Sequence, residues 1–341
     1  MSPPRRLLLF ATILLLSPEA GRAWGPVGHK AVAILAQSRL KPETLAAIRN
    51  LVGKRIDLDW IASCADIFGH GNGHMVCAGA ITVDGDAEAS RPWHYINIPI
   101  SEHPTAASLG RYCKGNTDCV SAQIREDVRT LQDPAASRQA KQAALMFLVH
   151  FVGDAHQPLH CADDNDGGGN QKTTNVIMRG TKTLNLHQIW DHAVDNPGEE
   201  DDVLLFQDVS AEARTLASVL AQELKETQAG ASDALRSWTQ GDDLPEQIAL
   251  ESFQVAQDAI YPQYRRDRGR IADPADPRRI GKDYHDRMRP IAHQRLEMAG
   301  VRLAYLLELA FSAPHLGVDG KPVLFNIPRL DLPRYSDPFR R

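Results

Sequence analysis

After the first two dozen positions, no apolar run reaches the roughly 18 residues that a membrane-spanning helix needs, so no anchor is expected there. Basic residues do not exceed acidic ones: 38 Lys and Arg stand against 43 Asp and Glu, for a formal charge of −5. An overall field that recruits polyanions is thereby excluded, and any grip on a phosphate has to be local. Aromatic residues make up only 6% of the chain, so each one placed near a charged motif counts. No Asn-x-Ser/Thr glycosylation acceptor occurs, and no Gly-, Ser- or Pro-rich linker divides the chain into two cores. Strand-like alternation is scarce, with residues 93–98 as the main candidate.

The N-terminus reads differently. Arg5 and Arg6 precede an apolar run over 7–16, and small residues lead up to Ala23. That pattern predicts a secretory signal peptide over 1–23 and a mature chain that begins at Trp24, secreted or periplasmic. An oxidising compartment favours disulfides, and all five cysteines lie after position 23. Cys113 and Cys119 flank a short polar loop and form the first expected bridge, with Cys64 and Cys77 the second. Cys161 is left over and is expected to be a buried thiol.

Apolar residues recur at three- and four-residue intervals over 27–38, 42–52, 119–131, 139–155, 209–226, 245–260 and 286–312. The pattern predicts an all-α fold, a single mostly helical domain over 24–312 followed by a Pro/Arg-rich tail over 313–341. Residues 163–170, rich in Asp and Gly, cannot be helical and should return the chain toward His187. They lack the spacing and terminal Glu of an EF-hand loop. Segment 262–280 reads as a solvated connection, and His70 and His74 as solvated loop residues among glycines.

The chemistry concentrates in histidine and aspartate. The pair His-x-x-x-Asp occurs twice, as His150 with Asp154 and His187 with Asp191, and an i, i+4 pair on one helical face lets both side chains reach a metal. Trp24, His29, Asp66, His94 and His160 bring the candidate ligands to nine, too many for one ion. Between Asp154 and His160 a helix turns by about 600°, and Pro158 disturbs it besides. His160 therefore belongs to a different metal than His150. With His187 and Asp191 it makes a three-ligand site, and a site that keeps a position open is catalytic rather than structural. Trp24 would serve through its carbonyl and the free α-amine that processing creates. His156, His285 and His293 carry no such pattern and are expected to be structural.

Together Trp24-Gly-x-x-Gly-His29, Ile61-Ala-Ser-x-Ala-Asp66, Trp93-His94-Tyr-Ile-Asn, Phe147-Leu-Val-His150-Phe-Val-Gly-Asp154, Gln157-Pro-Leu-His160, Gly168-Gly-Asn and Asn185-Leu-His187-x-x-Trp-Asp191 closely resemble the class I zinc-dependent single-strand nucleases, or 3′-nucleotidases. The resemblance implies a helical fold shared with zinc phospholipases C and three zinc ions. One would take Asp66, His94, His150 and Asp154, and a second His160, His187 and Asp191. The third would take Trp24, His29 and the bridging Asp154. It also implies a nucleophilic water between the first and third ions, which Asp66 could orient, and a phosphate facing the second.

Substrates on this reading are single-stranded nucleic acid and 3′-nucleotides, cut to leave 5′-phosphates by a monomer without a membrane anchor. Tyr95 matches a base-stacking position, and such stacking is worth roughly 1–3 kcal/mol. Asn97 stands where some relatives have Asp on the base edge, and Gly69 where relatives often have a basic residue near the phosphate. Two other readings remain at this point. A zinc phospholipase C has a similar metal scaffold, although Asp191 and the aromatics flanking His94 favour the nuclease. A non-catalytic zinc-binding secreted protein is separated by turnover of denatured DNA.

Overall fold

A computed structural model describes residues 24–177, 183–193, 209–228, 238–239 and 243–312. The expected signal peptide and tail lie outside the described residues. Helix α1 (Pro26–Gln37) is the innermost of the first elements. Proline sits in its first turn, where the missing N–H leaves no bond unmade. Next come α2 (Pro42–Val52), the short helices α3 (Leu58–Ile61) and α4 (Cys64–Gly69), and an antiparallel hairpin of β1 (His74–Cys77) and β2 (Ile81–Asp84). A further short helix, α5 (Ala87–Ser90), leads into a 3₁₀ turn, Arg91–His94.

The long elements build the core. Helix α6 (Val120–Gln132) packs along α7 (Arg138–His156), whose first free N–H groups are capped by the Ser137 hydroxyl accepting from Ala140 N at 3.1 Å. From Ala144 to its end α7 is buried on every side, which explains why its sequence is apolar all round rather than striped. A second small hairpin, β3 (Thr173–Ile177) with β4 (Thr183–Asn185), precedes α8 (Leu186–Gln188) and a π turn over Ile189–Ala193. Helices α9 (Ser210–Gln228), α10 (Leu244–Val255), α11 (Tyr261–Asp267) and α12 (Lys282–Phe311) complete the bundle.

Helix α1 lies between α9 and α12, and α12 also crosses α7. The α1–α12 approach depends on Gly300. A Cβ there would lie 2.6 Å from Leu35 Cδ2, so only glycine admits the leucine. The fold is thus the single helical domain expected from periodicity, and both expected disulfides are present, Cys64–Cys77 and Cys113–Cys119. Cys161 is a buried free thiol.

Three local expectations fail. Residues 93–98 are not a ladder strand: Trp93 and His94 belong to the 3₁₀ turn, with Pro92 inside it, and the extended stretch after it bonds singly, Ile96 N to His160 O at 2.8 Å and Asp163 N to Ile98 O at 2.8 Å. Segment 262–280 is not simply solvated. Its first residues are helix α11, and Ile177 N donates to Pro277 O, so it docks on β3. His74 sits in β1 and pairs with Asp84 across the hairpin, though it is exposed as expected.

Candidate metal centre

Helix α7 presents His150 and Asp154 one turn apart. Helix α1 brings His29 against them, with Nε2 3.3 Å from Asp154 Oδ1 and its ring stacked on that of His150 at 3.9 Å. This approach also requires glycine: a Cβ on Gly153 would meet His29 Nδ1 at 2.6 Å. Helix α4 contributes Asp66, whose Oδ1 is 3.3 Å from His150 Nε2. His94 closes the 3₁₀ turn with Nδ1 2.9 Å from Asp154 Oδ2 and 3.7 Å from Asp66 Oδ1. Asp154 therefore touches three histidines.

A second set gathers beside it. The Nε2 atoms of His160 and His187 face each other at 3.0 Å, and Asp191 Oδ2 is 3.5 Å from His187 Nε2. Each ring is aimed from behind. His150 Nδ1 donates to Ala62 O at 2.7 Å, His160 Nδ1 to His94 O at 2.7 Å, and His187 Nδ1 to Gly168 O at 2.6 Å. Such bonds fix the tautomer and leave Nε2 as the ligand atom. The loop over 163–170 supplies the Gly168 carbonyl, and Gly168 itself has φ +66°, with only 2.4 Å between a would-be Cβ and Leu159 O. It performs the return toward His187 that its composition suggests.

Three groups of potential ligands result: His29, His150 and Asp154; Asp66, His94 and His150; His160, His187 and Asp191. In each the ligand atoms lie within 4.8 Å of one another, and all are buried. The residues fit cations. His29 Nε2, His150 Nε2 and Asp154 Oδ1 are buried with no hydrogen-bond partner, a costly arrangement unless an ion joins them. Two Nε2 lone pairs pointing at each other in the second set make the same case. Imidazole with carboxylate is a donor set suited to zinc.

The electrostatics set the charge states of the bare polypeptide. Burial pushes the His29 and His160 imidazoles below their usual range, so both present a neutral ring. Burial would also lower His150, but the Asp154 and Asp66 carboxylates outweigh it and raise the ring to about 9. Burial alone would raise Asp66 and Asp154, yet His150 chiefly holds both well below the carboxylate range. Both acids are therefore ionised and ready to ligate.

Trp24 is fully buried, 6.4 Å from the Trp190 ring, and the next residue's N–H donates to Asp191 O at 2.6 Å. Position 24 is thus pinned beside a candidate ligand. Tyr95 is half-buried and Asn97 exposed, on either side of Ile96, whose N–H is bound to the His160 carbonyl. Among the histidines read as structural, His156 is buried, with Nδ1 donating to Val152 O, and His293 bonds Glu223. Sequence reasoning did not single out Gln157 or Gly153, although both lie inside the quoted motifs. Gln157 Nε2 donates to Asp191 Oδ1 at 2.7 Å.

The S1/P1 Nuclease family model matches residues 24–312, which includes every ligand named above. The chain belongs to that family. It is 29% identical to Nuclease S1 of Aspergillus oryzae over 318 residues, covering 91% of this chain and 99% of that protein. It is 27% identical to Endonuclease 2 of Arabidopsis thaliana over 316 residues, covering 89% and 96%. With Nuclease P1 of Penicillium citrinum it shares 29% identity over 229 residues, 66% of this chain and 75% of that one. Membership in the S1/P1 nucleases makes the chain a phosphodiester hydrolase, and neither the phospholipase C nor the non-catalytic reading is favoured.

Proposed function

We propose that this chain is a secreted, monomeric single-strand-specific endonuclease and 3′-nucleotidase that works with three zinc ions. The observation that carries the reading is the adjoining trio of buried His/Asp groups in a chain of this family. Asp66, His94, His150 and Asp154 would hold one ion, His160, His187 and Asp191 a second, and Trp24, His29 and Asp154 a third. Zinc bound there supplies a Lewis acid that activates water near neutral pH and neutralises charge on the phosphoryl oxygens.

The remaining work falls to side chains. Asp66, ionised and close to His94 and His150, orients the attacking water toward phosphorus. Tyr95 offers a ring face to a base, and Asn97 its amide to the base edge. A base still paired in a duplex reaches Tyr95 only by leaving its stack, at a cost of a few kcal/mol, so single strands react faster. Secretion rests on the leader over 1–23; among the described residues no helix is long and apolar enough to cross a membrane.

The test is an assay of the purified mature protein on denatured DNA, duplex DNA, RNA, 3′-AMP and phosphatidylcholine side by side. Denatured DNA and RNA should be cut faster than duplex, with 5′-phosphate ends, and 3′-AMP should release phosphate. Turnover of phosphatidylcholine alone would overturn the reading.

A further inference from the structure

Arg91 opens the 3₁₀ turn that ends at His94. With three residues per turn, positions i and i+3 lie on the same side. Arg91 Nε donates to the Gly69 carbonyl at 3.0 Å, at the end of α4, the helix that presents Asp66. The point where a Cβ would sit on Gly69 is 3.8 Å from His94 Nε2 and 4.0 Å from Arg91 Cγ. Gly69 thus lies close to both the Arg91 stem and the outer nitrogen of the His94 ring, whose other nitrogen faces Asp154. Arg91 is exposed, and among the described residues it makes no ion pair.

A guanidinium held by one nitrogen keeps its two terminal amines as a fork for a bidentate partner, and phosphate is the anion that matches that fork. On an acidic chain an arginine without a carboxylate is a local exception to the overall field. Tyr95 follows His94 directly, so the ring expected to take a base, the ligand His94 and the Arg91 fork occur within five consecutive residues. We propose that Arg91 binds the phosphate next to the scissile one on a bound single strand. The inference rests on the nuclease reading. It makes Arg91 a determinant of preference for polymers, because a substrate with one phosphate gives it nothing to hold.

The experiment compares wild type, Arg91→Gln and Arg91→Lys. Binding of a cleavage-resistant phosphorothioate oligonucleotide is measured across a salt series, and kcat/KM is measured on a cleavable oligonucleotide and on bis(p-nitrophenyl) phosphate. Arg91→Gln should lower kcat/KM on the oligonucleotide about 10-fold more than on the small diester. It should also flatten the slope of log Kobs against log salt by about 0.7, the single-strand value for one phosphate contact. Arg91→Lys should keep the wild-type slope. Melting temperature and metal content establish that the Gln variant is folded; if it is not, Arg91→Met takes its place with the same expected readings.

An unchanged slope in the neutral variant overturns the proposal. So does a Lys variant that shifts as far as Gln, since the Gly69 hydrogen bond rather than charge would then be the residue's role. Wild type that hydrolyses the small diester but not the oligonucleotide sinks the nuclease reading itself, and the proposal with it.

Discussion

Gln157 Nε2 donates to Asp191 Oδ1 at 2.7 Å, and both residues are fully enclosed. Gln157 Oε1 in turn accepts from Leu159 N at 2.6 Å, so the amide cannot rotate away. One carboxylate oxygen is thus held from behind while Oδ2 faces His187. Replacing Gln157 by Leu should weaken metal binding at the His160–His187–Asp191 group by about 10- to 100-fold. Competition with a graded chelator reads this directly, and an unchanged affinity would show that the amide serves packing alone.

Asp154→Asn should be the most damaging single change. Its oxygens approach His29, His94 and His150, so the proposed site with His29 loses its only carboxylate and the proposed site with His94 and His150 keeps Asp66 alone. Metal content should fall below that of wild type and turnover by more than about 100-fold, beyond the loss expected from a residue behind the ligands. Asp66→Asn, which affects one group, should retain more metal. Elemental analysis with single-turnover rates separates the two variants.

A single extra residue ahead of Trp24 should impair turnover by orders of magnitude, because it converts the proposed α-amine ligand into an amide. A C-terminal tag of similar size should be tolerated. Equal activity of the two proteins would reduce Trp24 to the core aromatic that its burial against Trp190 already makes it.

Gly153→Ala places a methyl group 2.6 Å from His29 Nδ1. Overpacking of this kind costs about 1–3 kcal/mol, and the strain falls on a candidate ligand. Thermal melting with and without chelator should show a lower Tm in both states, with less stabilisation by metal than in wild type.

Glu297 on α12 supplies a pH dependence away from the centre. Burial, then the neighbouring Glu223, raises its carboxyl to about 8. A carboxyl raised in the folded state contributes stability that is fully present below its unfolded value near 4.5 and is lost as pH rises through about 8. Glu297→Gln removes the titration, so its stability relative to wild type should increase from pH 5 to pH 9. Urea unfolding at the two pH values measures the difference, and a constant gap would contradict the assignment.

What the sequence disclosed follows from what spacing encodes. The long helices announce themselves through a 3.6-residue apolar period, and the nine candidate ligands through residue types that are rarely buried without a partner. Elements shorter than two turns carry no such period. The hairpins at His74–Asp84 and Thr173–Asn185 stayed hidden for that reason, while residues 93–98 look strand-like because extended backbone and alternation coincide there without a neighbouring strand. The apolar period over 245–260 ends before segment 262–280, which reads as a connection. The helical path continues instead through a π turn at Ala256–Ile260, which accommodates the missing N–H of Pro262 just ahead of it. Gly153 and Gln157 escaped notice because their roles are defined by a partner on another element, His29 and Asp191.

The stacked rings of His29 and His150 carry a last implication. Burial disfavours a charge on His29, and so does His150, while two ionised carboxylates press against the same pair. In the bare polypeptide these groups cannot all be content in one arrangement. The interior is locally frustrated at this spot while the surrounding helices are mutually consistent. A cation held there would resolve that conflict by joining chain segments that lie more than a hundred residues apart, and its capture would then belong to folding as much as to chemistry.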